Sequence, residues 1–538
     1  MVSRDEQRPK VVTREELLRR RDEARAQGLS VVQCHGCFDI VHPGHIRHLQ
    51  HAAKQGDLLL VSITADALMN KGDGRPLFPQ EMRAENLAAL DFVDWVYINP
   101  DATAETLLEE FRPDVYIKGR EYEANDDPRF KAERDAVERH GGRVIFSSGD
   151  VVFSSTALIA AMERRENPFQ ARLRQLVETK NLRAERLEKL VDGFGGQRIA
   201  VVGEAIVDTY VMCDRPDVAG EAPVMSLRPL EQTSYDGGAA IIARHIAAMG
   251  GRPTLITALP KTAAASALRL RLESEGVEVR AVECEGPMLE KQRFLVGSQK
   301  VMKLDLVKPV VLDSHGLSEL LEQTRGTARH IDGAIVADFG NGLLSQRVIG
   351  EMLRVLRPAA KVLSGDVSGR RSGLLHMMKM DLLCPTESEL RQAVHDYDAS
   401  LNAAVWKLMA ATRTSNVMVT LGGDGLIAFE KLSGADEARG WGARVSGEHI
   451  PAMSVHALDA LGCGDALLAT STLTLLAGGS VTDAGYIGSI AAAHQAGRIG
   501  NIVVSSADLR QGLRRIDGAR LAVATSGHGT HGQRLVAG

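Results

Sequence analysis

The run Cys34-His35-Gly36-Cys37-Phe38-Asp39-Ile40-Val41-His42-Pro43-Gly44-His45 sets two imidazoles around a glycine, between an apolar stretch (Leu29 to Gln33) and apolar residues at helical spacing (Ile46 to Ala53). A buried strand that turns straight into a helix is a unit of an α/β sheet, and the helix start leaves backbone N–H groups facing outward, where they attract anions. Gly36 and Gly44 allow the backbone to come close to a bound group. His42 and His45 add donors aimed at charge that builds on an attacked α-phosphorus. The turn therefore reads as a phosphate site, with Gly36, Cys37, Phe38 and Gly44 as its nucleotide contacts and the two histidines as its catalytic groups.

With 538 residues the chain exceeds one ordinary core, so two or three domains are expected. A net charge of −5 gives no sign of a nucleic-acid or membrane partner, and no apolar run reaches the length of a membrane span. With a polar, charged start at Met1 to Lys10, a cytoplasmic protein is expected. Of six cysteines only Cys34 and Cys37 form a C-x-x-C pair, which lies in the phosphate turn and has no second pair to complete a zinc site.

Thr13-Arg14-Glu15-Glu16 forms a capping box that opens a lead-in helix within residues 1–28. Strand-like runs recur at Leu58 to Ile63, Trp95 to Ile98, Val115 to Lys118 and Val144 to Phe146 with helical patterns between them, so residues 29–165 predict a doubly wound parallel sheet. Asn167-Pro168 breaks that pattern. A charged, helix-favouring stretch from Phe169 to Val191, closed by Gly193-Phe194-Gly195-Gly196, makes 166–196 a helical linker. A second α/β domain is expected over 197–516, then a Gly/His/Ser-rich tail, 517–538, expected to be disordered.

The first turn resembles the H-x-G-H signature of the nucleotidyltransferase superfamily of cytidylyltransferases and adenylyltransferases, which implies a Rossmann-like domain. Four further segments extend the resemblance. Lys71, in Lys71-Gly72-Asp73-Gly74-Arg75-Pro76, would balance a triphosphate. Arg83 begins a helix and would either face the nucleotide or be a surface charge. Lys118 and Gly119, in Lys118-Gly119-Arg120-Glu121-Tyr122, lie at a strand's C-terminal end and resemble the sugar-phosphate branch of the superfamily. Ser154-Ser155-Thr156 would cap the last helix and cradle the β- and γ-phosphates. The resemblance implies in-line attack by a substrate phosphate on the α-phosphorus, with Mg²⁺ bridging the phosphates of ATP.

Asp459-Ala460-Leu461-Gly462-Cys463-Gly464-Asp465-Ala466 resembles the D-x-x-G-x-G-D signature of ribokinase-like sugar kinases, implying a second α/β domain with a small β lid. Amides of Gly462, Cys463 and Gly464 can form an anion hole while Asp465 takes the proton from the attacking sugar hydroxyl. Gly203-Glu204 with Asp208, Gly237-Gly238-Ala239-Ala240 and Thr420-Leu421-Gly422-Gly423-Asp424-Gly425 match the same family in order. By that resemblance Asp208, Gly237, Gly238 and Asp465 hold sugar hydroxyls, and Thr420, Gly422 and Gly425 approach the nucleotide. Glu389 would reach Mg²⁺ through water.

Glu221-Ala222-Pro223-Val224 and Gln299 to Asp305 look most like heptose-phosphate kinases. Together the two halves resemble the bifunctional heptose 7-phosphate kinase and heptose 1-phosphate adenylyltransferase family in reversed order, implying a sugar phosphate substrate, ATP in both halves, ADP-heptose as product and a homodimer or higher oligomer. The lid would come from Tyr210 to Pro229 with Gln292 to Lys303. Two positions depart from the pattern. Ile241 stands where the family has asparagine, forfeiting a contact worth ~1 kcal/mol or more. Thr386 opens the segment that in the family begins with asparagine. These departures leave open an active transferase, with CTP and a polyol phosphate, joined to a degenerate kinase that serves for dimerisation or binding.

Overall fold

The computed structural model describes residues 9–39, 41, 43–68, 76, 78–119, 128–147, 168–214, 216–218, 225–297, 299–368, 373–397, 399–432, 445–454 and 457–527. It divides into two compact units, the first centred on Met1–Pro168 and the second on most of the remainder.

The first unit is built on β1 (Val31–Gly36), β2 (Leu58–Thr64), β3 (Trp95–Asn99), β4 (Val115–Gly119) and β5 (Arg143–Ser147), in the order β3-β2-β1-β4-β5 with every neighbour parallel. This is the doubly wound sheet that the sequence predicts. The first strand begins at Val31 rather than Leu29, because the Ser30 amide donates to the Asp57 carboxylate instead of the ladder. Buried Val32, Cys34, Leu59, Val61, Val96 and Ile117 share one core with Leu49 and Ala52 of the helix Pro43–Ala53. The strand order reverses between β1 and β4, and the C-terminal ends of strands at such a point form the ligand crevice of open α/β sheets.

The second unit holds β6 (Arg198–Gly203), β7 (Ala205–Cys213), β8 (Asp217–Val218), β9 (Met225–Ser226), β10 (Pro229–Gly238), β11 (Arg252–Pro260), β12 (Glu278–Cys284), β13 (Leu289–Val296) and β14 (Gln299–Leu306). It continues with β15 (Gly333–Asp338), β16 (Val362–Val367), β17 (Leu382–Leu383), β18 (Asn416–Thr420), β19 (Leu426–Lys431) and β20 (Val445–Ile450). The main sheet runs β12-β11-β6-β15-β16-β17-β18-β19-β20, and a separate lid sheet runs β10-β7-β13-β14. Helices Ala239–Ala248, Cys463–Leu476 and Val481–Ala496 contribute apolar residues to its main core.

Two expectations need correction. The stretch read as a linker is part of the second unit's core: its helices Pro168–Thr179 and Ala184–Asp192 bury Leu176, Val177, Leu187 and Val191 among the sheet residues. Arg186 pairs with Asp483, and Arg514 with Glu188 at 2.6 Å, fastening the helix Ala184–Asp192 to the helices Val481–Ala496 and Ser506–Gly527. Likewise, the segment read as a tail from residue 517 begins inside the helix Ser506–Gly527, where Asp517 accepts a hydrogen bond from the Ala184 amide at 2.8 Å. Glycine-rich composition after residue 526 hid a helix that tertiary contacts hold. Among the described residues no helix is long and apolar enough to cross a membrane.

Candidate active sites

In the first unit, Gly36 ends β1 and Phe38 follows with φ +45°, a left-handed conformation that a bulky side chain rarely adopts. Its ring lies over Gly36, where a Cβ would come within 3.0 Å of it, and meets the His45 imidazole edge to face at 5.0 Å. Gly36 is thus what lets Phe38 seat the catalytic candidate His45, in the first turn of the helix Pro43–Ala53. Gly44 lies in that turn as well. His42, Lys71, Ser154, Ser155 and Thr156 lie outside the described residues.

Arg83 is fully buried, which rules out a surface charge. Its guanidinium donates to the carbonyls of Cys37, Phe78 (3.1 Å) and Thr64 (2.8 Å) and to the Asp66 carboxylate (2.7 Å). Each nitrogen has a protein partner, so Arg83 fastens the loops after β1 and β2 around the crevice. Lys118, near the end of β4 and one residue before Gly119, is also buried and pairs with Glu133 at 2.8 Å. Glu133 further accepts from the Tyr116 hydroxyl at 3.0 Å and the Ala104 amide at 3.1 Å. Burial opposes ionisation of Glu133, yet the Lys118 ammonium holds its carboxyl below the usual value. Sequence reasoning missed His35, whose Nδ1 lies 3.0 Å from Ser62 Oγ. Burial, with Lys118 nearby, pushes its pKa down to about 4 and keeps it neutral. Cys34 is buried and Cys37 half-buried, and among the described residues no cluster of three metal-ligating side chains occurs.

In the second unit the candidate residues gather at the C-terminal ends of the main sheet. Gly462 has φ +74° and opens the helix Cys463–Leu476. A Cβ there would lie 2.0 Å from Asn501 Oδ1, so only glycine fits. Gly464 and Asp465 follow in the first helical turn, where their amides face outward. Asp208 in β7 accepts from Arg293 at 2.5 Å and from Asn501 Nδ2 at 3.1 Å. Gly237 lies against it: a Cβ would come 2.1 Å from the Asp208 carboxylate. Gly238 follows at φ +62° and starts the helix that carries Ile241, which is fully buried and brings no polar group to the pocket. At the end of β18, Thr420 leads into a turn where Gly422 and Gly425 both have positive φ.

Burial is the main force on the charges here. Asp465 is pushed up to about 7, first by loss of water and then by the neighbouring charge of Asp208, with Lys291 opposing. Glu204, at the end of β6, also rises to about 7 through burial, although it accepts from the Phe339 and Leu343 amides. Asp366 at the end of β16 is raised well above the usual value by burial, then by Glu389 and Asp465. Its Oδ1 is buried without a hydrogen-bond partner. Asp366 is not among the residues expected from the sequence, although a carboxylate near the C-terminal end of a parallel strand is a usable signal. The charges of Glu389 and Asp465 both act on Asp366, but the three carboxylates do not form a metal-holding cluster by themselves, so a divalent cation at the orphaned Asp366 oxygen would need the oxygens of a bound phosphate to complete it. Glu389 closes a capping box with Thr386, so both residues have a structural role at the start of the helix Glu387–Val394.

Comparison with known proteins follows this geometry. Residues 197–507 match the family model described as pfkB family carbohydrate kinase, and residues 34–167 match the one described as cytidylyltransferase-like. In the cytidylyltransferase-like region the chain is similar to the Bifunctional protein HldE of Pseudomonas fluorescens (strain SBW25), 39% identical over 158 residues, which is 29% of this chain and 32% of that protein. The Bifunctional protein HldE of Azotobacter vinelandii is 42% identical over 154 residues, 28% of this chain and 31% of that one. The match thus spans about a third of the length of these curated relatives, in which the two domains occur in the opposite order. Among solved structures, phosphofructokinase-2 from Escherichia coli in complex with potassium aligns over 60% of this chain and 99% of its own, with a TM-score of 0.50 and 18% identity, a likeness of fold alone.

The raised carboxyl of Asp465 sets a trade between stability and reactivity. A pKa raised on folding adds stability below the ordinary carboxylate value, and that contribution is lost as pH climbs through about 7. Asp465→Asn should therefore raise the thermal midpoint at pH 8 relative to the parent, with the difference closing near pH 4. Scanning calorimetry across that range checks it; equal midpoints at pH 8 would count against a buried carboxyl raised on folding.

Proposed function

This chain belongs to the pfkB family of carbohydrate kinases and carries a cytidylyltransferase-like domain ahead of the kinase, and on that premise we propose that it builds a nucleotide-diphosphate sugar in two steps. The kinase phosphorylates a sugar phosphate, heptose 7-phosphate, at the anomeric hydroxyl with ATP. The first domain then transfers a nucleotidyl group from ATP to the sugar 1-phosphate, giving ADP-heptose and pyrophosphate.

The observation that carries this reading is the buried Asp465 beside the glycine-rich helix start and opposite Asp208. A base with a pKa near 7 accepts the proton of the attacking hydroxyl at working pH. The amides of Gly462, Cys463 and Gly464 meet the charge that spreads over the transferred phosphoryl group. Asp208, braced by Arg293 and Asn501, would orient the sugar hydroxyls. Bound Mg²⁺ would neutralise phosphate charge, held on the protein side by Asp366 and, through water, by Glu389. In the first domain His42 and His45 would stabilise charge on the α-phosphorus as the sugar phosphate oxygen attacks and pyrophosphate departs toward Lys71 and Ser154 to Thr156. Lys118 would sit at the edge of that crevice.

A phosphorylated sugar is favoured by the lid. On β13, Lys291 and Arg293 alternate onto one face with Asp208 of β7 and Lys303 of β14. Among the described groups the Lys291 ammonium has no hydrogen bond or ion pair, and burial with Lys303 nearby lowers its pKa. A half-buried cation without a partner is costly unless an anion completes it, and a substrate phosphate would do so. Lys291→Met should raise KM for the phosphosugar by about tenfold, the scale of one lost charge-assisted hydrogen bond, and leave that for its dephosphorylated analogue unchanged; equal effects on both sugars would remove this argument.

The buried Ile241, where an amide was expected, favours a second reading in which the kinase unit only binds or dimerises. The amide of Asn501 against Asp208 weighs toward an active kinase. Protein supplied with ATP, Mg²⁺ and heptose 7-phosphate should release ADP and pyrophosphate and form ADP-heptose. Asp465→Asn should abolish ADP release while sparing pyrophosphate release from added sugar 1-phosphate, and His45→Ala should do the reverse. If Asp465→Asn changes no activity, the second reading stands.

An oligomer would use the edge strand β14, where Met302, Leu304 and Leu306 are exposed at alternate positions. Leu304→Glu should then convert a sedimenting dimer to monomer; a wild-type protein that sediments as a monomer ends this proposal.

A further inference from the structure

The carboxylate of Asp459 is nearly fully buried and takes hydrogen bonds from four donors on three parts of the second unit. Two donors come from the lid sheet: the Tyr210 hydroxyl on β7 and the Lys300 ammonium on β14, the latter at 2.5 Å. The Leu461 amide donates at 3.0 Å, one residue before Gly462, and the Gly500 amide at 3.0 Å, one residue before Asn501. Lys300 also lies over the Tyr210 ring at 5.3 Å, so the two lid donors brace each other. Burial opposes ionisation of Asp459, but its donors hold the carboxyl below the usual value, so it stays charged.

These bonds have a directional consequence. The segment that forms the anion hole, Gly462 to Gly464, is anchored at its entry by the Leu461 amide on Asp459. Gly462 itself sits in a left-handed conformation against Asn501, which has little room to shift. Removing Lys300 would leave a buried carboxylate with one full positive charge fewer, and a carboxylate in that state recruits water or pulls its remaining donors into new positions. Leu461 and Gly500, whose carbonyls share the Gln495 side-chain amide, are the donors that would shift together, because Tyr210 is packed in its sheet.

We propose that Lys300, with Tyr210, is a positioning residue that locks the anion-hole loop in place through Asp459, so that the hole is assembled only while the lid sheet is seated. Lys300 touches no reacting group in this arrangement and acts through the Asp459 carboxylate. The lid edge thereby governs phosphoryl transfer as well as sugar binding. The kinetic half of this inference rests on the kinase reading above, whereas the structural half does not.

Hydrogen exchange on the full chain separates the two. In Lys300→Met, the amides from Leu461 to Gly464 should exchange at least about tenfold faster than in the parent, as expected when a charge-assisted contact anchoring a loop is lost. Tyr210→Phe should act in the same direction and less strongly, and Lys300→Arg should restore protection. In turnover assays Lys300→Met should lower kcat for ADP release more than it raises KM for the sugar phosphate, with Lys300→Arg recovering kcat and pyrophosphate release unaffected throughout. Unchanged exchange at Leu461 to Gly464 in Lys300→Met overturns the lock, as does a kinetic effect confined to KM. If the parent shows no sugar-dependent ADP release, the kinase reading fails and the exchange result alone decides the lock.

Discussion

Two carboxylates that repel each other out of water, Asp208 and Asp465, are the constraint around which the second unit is arranged. The repulsion is tempered mainly from one side: Asp208 has a fixed cationic partner in Arg293, while Asp465 is pushed up to about 7. Arg293 and Asn501 bond Asp208 directly, while Lys291 reaches Asp465 only through its field. Around them Glu204, Asp338 and Asp366 end neighbouring strands and are all raised by burial. A sheet that gathers these carboxyl groups at one edge, out of water, raises their pKa values together.

What was legible in the chain was local. The glycine-bearing turns at Gly36 to His45 and Gly462 to Asp465 announced themselves because strand, turn and helix follow one another directly, and the alternation between them fixed the layered fold. The partners of those turns were not legible. Asn501 reaches Asp208 across 293 residues of sequence, and Lys300 reaches Asp459 across 159. No periodicity encodes such pairs, since they depend on how the lid sheet folds back over the main one. Arg83 is a related case: a helix-start arginine reads equally as a nucleotide contact or a surface charge until three backbone carbonyls converge on it.

The linker reading failed for a different reason. Residues Phe169 to Val191 have the charge density of an exposed helix, yet their few apolar positions fall on one side and meet the core of the second unit. Ion pairs of Arg186 with Asp483 and Glu188 with Arg514 take up part of the remaining charge. The kinase unit therefore includes two helices ahead of its first strand.

The clamp around Arg83 bears on how the first site meets its ligand. One guanidinium holds the backbone after β1 and after β2 as well as the approach to the helix Gln80–Ala88. A planar fork with fixed donor directions permits little relative sliding of those segments. The cost in entropy of ordering the crevice floor is thus met while the chain folds, and any ligand arriving later finds that part of the crevice already rigid.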